Sequence, residues 1–115
     1  MKSAKKFFLM GVFIASQVAL ASPVLECANP ATGAEFHLGE YADQPPFYTI
    51  NPELAQNLNS TLPLQGSGGT IQYGQSLLYT ISIGGQSLSV DNQNNGGYLL
   101  SFAGNTFYFN PGECH

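Results

Sequence analysis

The sequence predicts an all-β domain: a small antiparallel β-barrel or β-sandwich of about seven short strands with at most one short helix. Apolar residues alternate with period two from Thr70 onward, and glycine-centred turns bring the apolar faces of neighbouring strands into register. The two cysteines, Cys27 and Cys114, lie at opposite ends of the segment that carries these strands.

Residues 1–21 stand apart from the domain. Lys2, Lys5 and Lys6 form a positive start, and FFLMGVFIA at 7–15 is an apolar run of signal-peptide length. Ala19, Leu20 and Ala21 place small residues where a cleavage site needs them. The run is shorter than the roughly 20 residues of a membrane-spanning helix. Glu26 stands where a lipid anchor on Cys27 would need a small residue. The expectation is a cleaved signal peptide over 1–21 and one secreted β domain over 22–115, extracellular or, in a bacterium, periplasmic.

Charge follows the same division. The three lysines all precede residue 22 and the chain has no arginine, while all seven acids lie beyond it. Residues 22–115 therefore carry a formal charge of −7. Nucleic acid is excluded as a partner, since affinity for phosphates rests on Lys and Arg. An anionic membrane surface and a Walker-type phosphate loop are excluded for the same reason. The charge favours solubility and permits a cationic partner.

In the N-terminal half, EFHLGEY (35–41) alternates as a strand with Phe36 and Leu38 inward, and FYTI (47–50) follows the Pro45-Pro46 turn. NPELAQNL (51–58) is the helix candidate: Asn51 caps it, Pro52 suits its first position, and Leu54 and Leu58 share a face. GSGG (66–69) reads as a flexible joint.

A C-terminal meander follows. In SLLYTISI (76–83), Leu77, Tyr79, Ile81 and Ile83 form one face, and a Gly84-Gly85 turn places Ile81 opposite Leu88 and Tyr79 opposite Val90. A three-residue loop at Gly74-Gln75-Ser76 sets Ile71 opposite Tyr79, with a bulge. DNQNNGG (91–97) reads as a polar loop or hairpin tip with no apolar residue to anchor it. A Gly104-Asn105 turn would face Phe102 with Phe107 and Leu100 with Phe109. Tyr73 and Tyr79 are expected in the core.

Two cysteines in a small exported domain predict a Cys27–Cys114 disulfide joining the two ends. On the chain-entropy model such a loop contributes about 4–5 kcal/mol at most.

Chemistry-bearing patterns are few. Glu35 and His37, two apart on a strand, read as solvated residues on its outer face. A serine nucleophile has no recognisable elbow, and two carboxylates at glycosidase separation are not singled out by spacing. The expectation is a protein that is not an enzyme and holds no cofactor or metal. Asn59-Ser60-Thr61 is an N-glycosylation sequon, relevant in a eukaryotic secretory pathway. Tyrosine offers rigid, amphipathic contact area. Tyr98 and Tyr108, with Asn94 and Asn95 in the polar loop, form the expected binding face.

In size, export and cysteine use the chain resembles the small single-disulfide β proteins that fungi and bacteria export to hosts or competitors. The resemblance implies an effector-like binding protein acting outside its own cell on an extracellular protein, basic or otherwise, or a glycan. GSGGTIQY (66–73) is similar to the Ser-Gly-x-x-Tyr loop of periplasmic lysozyme inhibitors, but Tyr73 is displaced from that spacing and the domain lacks the basic residue they use. Inhibition of a cationic enzyme such as lysozyme is thus the alternative. A structural component of the cell surface or wall is a further one.

Overall fold

Alternating apolar and polar side chains sort the chain into two sheets. The computed structural model describes residues 22–115, and the proposed signal peptide over 1–21 lies outside the described residues. The first sheet contains β1 (Ser22–Ala28), β2 (Glu35–Glu40), β3 (Phe47–Ile50) and β4 (Gln65–Ser67), in that order. The second contains β5 (Thr70–Ile71), β6 (Leu77–Ile83), β7 (Gln86–Asn92), β8 (Tyr98–Phe102) and β9 (Asn105–Phe109), also in chain order. Every named pairing is antiparallel. The sheets share no strand pair, so the architecture is sandwich-like rather than a closed barrel.

The inward residues merge into one core. Leu25, Phe36, Leu38 and Tyr48 come from the first sheet; Tyr79, Leu88, Val90, Leu100 and Phe109 come from the second. Helix α1 (Pro52–Leu58) adds Leu54, Ala55 and Leu58. Its cap is also its anchor. The Asn51 carboxamide oxygen accepts from the Leu54 N–H at 3.1 Å and the Glu35 N–H at 2.9 Å. The Asn51 Nδ2 donates to the Gly33 carbonyl at 2.6 Å, so one side chain starts the helix and ties it to the head of β2.

Nine strands form rather than about seven. β1 is one addition; its apolar alternation is limited to Leu25 and Cys27, each buried. The other is β4, which occupies part of the expected GSGG joint: Gly66 pairs with Tyr48, and only Gly68 and Gly69, both at positive φ, carry the chain to the second sheet. Tight approach accounts for the glycine at Gly66, where a Cβ would stand 2.5 Å from the Tyr48 ring.

The meander keeps its predicted faces with two adjustments. Ile71 pairs with Tyr79, Tyr79 with Val90 and Ile81 with Leu88, as expected. A bulge between Leu77 and Tyr79 turns Leu77 out to solvent and packs Leu78 against the core instead. In the last hairpin the turn is Ala103-Gly104, both at positive φ, so Leu100 faces Phe107 and Tyr98 faces Phe109. A turn of this kind favours glycine in its second central position. The register therefore moves by two residues, and the faces survive.

Tyr79 is fully buried, but Tyr73 is not a core residue. It lies in the β5–β6 turn with 60% of its surface exposed, and its hydroxyl donates to Glu40.

Cys27 and Cys114 form the expected disulfide. Around it residues 113–115 add a short antiparallel segment to the edge of β1. Glu26 and His115 exchange two backbone hydrogen bonds of 2.8 Å, and the Ala28 N–H donates to the Glu113 carbonyl at 2.9 Å. An otherwise open edge of the first sheet is thereby covered. Among the described residues no helix is long and apolar enough to cross a membrane.

Candidate functional site

Strand pairing in the first sheet aligns its outward side chains into a row. His115 lies opposite Glu26, Glu26 opposite His37, His37 opposite Thr49, and Thr49 opposite Gln65. Two residues along the strands a second row forms, in which Gly39 faces Phe47 and Phe47 faces Ser67. A Cβ at Gly39 would come within 2.7 Å of Phe47 Cζ. The glycine thus lets the phenylalanine ring lie across β2, an aromatic–glycine pairing that fixes both register and ring.

Three adjoining depressions mark this face. The largest, about 410 Å³, is bounded by Tyr41, Phe47, Thr49, Gln65 and Ser67 above the backbone of Tyr48 and Gly66. The Tyr41 and Phe47 rings stand 5.3 Å apart and tilted by 32°. The next, about 190 Å³, shares Phe47 and adds Glu26 and His37. A third, also about 190 Å³, continues from Glu26 and His37 to Glu35 and His115. The face therefore grades from an uncharged aromatic end at β4 to a titratable end at the disulfide-linked edge.

His37 Nε2 lies 3.8 Å from Glu35 Oε1, with side chains 46% and 54% exposed. This is a solvated pair, as the spacing suggested. Among the described residues no group of three or more His, Cys, Asp or Glu side chains is placed to hold a metal ion.

The expected binding face divides. The Asn95 Nδ2 donates to the Tyr108 hydroxyl at 3.1 Å, and the Tyr108 ring end lies over Gly97. Asn94 is exposed at the loop tip in the left-handed region, with its N–H donating to Asn92 Oδ1 at 2.8 Å. Tyr98 is on the other side of the sheet, facing Phe109 and packed against the core. The structure thus brings Asn95 and Tyr108 together and separates Tyr98 from them.

The sequence does not single out Tyr41, Phe47 and Gln65 as one face, although Tyr41 is among its tyrosines and Phe47 opens a short strand. The signal was present in part: alternation that sends Phe36, Leu38, Tyr48 and Ile50 inward sends His37, Gly39, Phe47 and Thr49 outward. Gln65 depended on recognising β4, which glycine content concealed.

Next to this face, the hydrogen bond from Tyr73 to Glu40, with partial burial and the negative charge of Glu40, raises the Tyr73 phenol above its ordinary range. That contact links the turn of the second sheet to the end of β2. No protein-family model, curated protein or solved structure matches the chain.

Proposed function

We propose that residues 22–115 act as a small secreted, non-catalytic binding protein outside the cell that makes it, with an extracellular protein or a glycan as partner. The observation that supports this reading is the grooved outer face of the first sheet, where three depressions adjoin across all its strands. Concave surfaces with aromatic walls and a few convergent polar groups are the usual form of a ligand site. The Cys27–Cys114 disulfide suits an oxidising compartment. A charge of −7 without lysine or arginine in the domain suits a neutral or cationic partner.

The test is affinity capture from extracellular fluid with the oxidised domain and two variants. Thr49→Lys places a long charged chain in the middle of the face, whereas Thr106→Lys alters an exposed position on β9. A partner kept by T106K and lost by T49K supports the reading. Equal capture by both variants contradicts the assignment of this face.

Inhibition of a cationic enzyme has its own supporting observation, the exposed Tyr73 ring beside Glu40. The exposed ring and the carboxylate lie together at the surface, which suits contact with a basic partner. Lysozyme activity assayed with the wild type and Tyr73→Ala decides it: inhibition that fades with salt and with the variant supports it, and unaltered lysozyme activity removes it.

A further inference from the structure

We propose that the depression between Tyr41, Phe47 and Gln65 is a binding site for a neutral glycan. This rests on the binding-protein reading and assigns its ligand class.

Charge narrows the ligand first. None of the seven residues lining the depression is charged. A basic protein would find no carboxylate there to pair with its cations. An acidic glycan or peptide would meet a domain of charge −7 with no lysine or arginine to receive it. A neutral ligand is what remains.

The polar groups are those a sugar requires. Gln65 and Ser67 are exposed and Thr49 is half-buried, all three on the outward face, giving one carboxamide and two hydroxyls. Each can donate and accept, which matches hydroxyls that do both. The half-buried Tyr41 and Phe47 rings offer an apolar wall against which the C–H face of a pyranose packs. A volume of about 410 Å³ lies at the lower end of the range for small-molecule sites and fits one or two sugar rings.

The site is also preorganised. Phe47 is held over Gly39, and the Tyr48 ring packs beneath Gly66 with its hydroxyl donating to the Pro63 carbonyl at 2.9 Å. Little ordering is left for the ligand to impose, and reduced ordering cost raises affinity. The neighbouring depression shares Phe47 as a lining residue, so a linear oligosaccharide seated here would extend toward it along the face of the sheet.

The experiment is an NMR titration of the ¹⁵N-labelled, oxidised domain with maltohexaose, cellohexaose, laminarihexaose and N-acetylchitohexaose. At least one should give saturable shifts centred on the amides of residues 47–49 and 65–67, unchanged at high salt. Tyr41→Ala and Gln65→Ala should each weaken that binding by about tenfold, the equivalent of about 1.4 kcal/mol. Tyr108→Ala should leave it unaltered. The amide spectrum of each variant shows whether it has folded, so a lost site is distinguished from a lost domain. No response to any of the four sugars, or shifts centred on Asn95 and Tyr108, overturns the glycan site. If capture by the same face then yields a salt-sensitive protein partner, the binding-protein reading stands while the glycan assignment falls.

Discussion

Asn29 Nδ2 donates to both carboxylate oxygens of Glu113, at 2.9 and 3.1 Å, across 84 positions of sequence. Asn29 is a buried polar residue, and its own oxygen accepts from the Thr32 N–H and hydroxyl at 2.9 and 2.8 Å. The Asn110 N–H adds a further hydrogen bond to Glu113 at 2.9 Å. Asn29 first, and then Asn110, hold the Glu113 carboxyl below the usual carboxylate range. Since the folded value is depressed, the associated stability is present above the unfolded pKa and is lost as pH falls through the folded one. Glu113→Gln should therefore flatten the acid limb of a stability–pH curve. Its cost at neutral pH should be about 1 kcal/mol, a figure kept low by solvent exposure. An acid limb identical to the wild type in urea melts across pH 2–6 would refute the assignment.

The disulfide and the added segment at residues 113–115 act on the same edge. Replacing both cysteines with serine should lower stability by about 2–5 kcal/mol. It should also release a local motion: the Glu26 and Ala28 N–H groups donate to carbonyls of His115 and Glu113, so they should exchange faster than the amides of Phe36 and Leu38. Hydrogen exchange measures this directly. Uniform acceleration across the first sheet would mean that the linkage stabilises only globally.

Glycine at Gly69 is required by two constraints, and at Gly74 by one. Both have positive φ, +86° and +78°. A Cβ at Gly69 would collide with the Thr80 carbonyl oxygen and approach Ile81 Cβ to 2.9 Å, while one at Gly74 meets nothing within 4 Å. Gly74→Ala should cost about 1–2 kcal/mol, the left-handed penalty alone. Gly69→Ala should cost about 3 kcal/mol or more, because rigid backbone must also move. Equal midpoints in urea would show that the Gly68-Gly69 crossover adapts freely.

These positions show what the sequence could and could not convey. Period-two runs and glycine turns placed β2, β3 and β5–β9, since burial on one face imposes alternation. Asn51-Pro52 placed the start of α1 through cap chemistry, and Leu54 and Leu58, four apart, gave it a buried face. β1 was not legible because its apolar alternation is confined to Leu25 and Cys27, and the residues that cover its outer edge, 113–115, are supplied by chain far away in sequence. β4 was hidden because Gly66 has no side chain of its own and fills its place with the ring of Tyr48. The same dependence on pairing explains why Tyr41, Phe47 and Gln65 become neighbours only in the folded sheet. Tyr73 misled because a tyrosine at the end of a strand pattern has the same hydrophobicity whether the turn closes before it or after it.

Tyr79 gives a prediction at the opposite end of the pH scale. Its hydroxyl donates to the Gly68 carbonyl at 2.7 Å within the core. Burial, with a smaller electrostatic contribution from Tyr48, pushes its phenol up to about 12, and burial also raises Tyr48. A raised folded value means that stability is complete below the unfolded pKa of about 10 and declines as pH rises through the folded one. Absorbance titration of the native domain should show Tyr79 ionising last, close to the point at which the fold opens. Tyr79→Phe should remove part of that alkaline decline while costing about 1–3 kcal/mol at neutral pH, because the Gly68 carbonyl loses its buried partner. A native titration in which all the phenols ionise together near pH 10, with the domain still folded, would contradict the buried hydrogen bond that joins the strand to the crossover between the sheets.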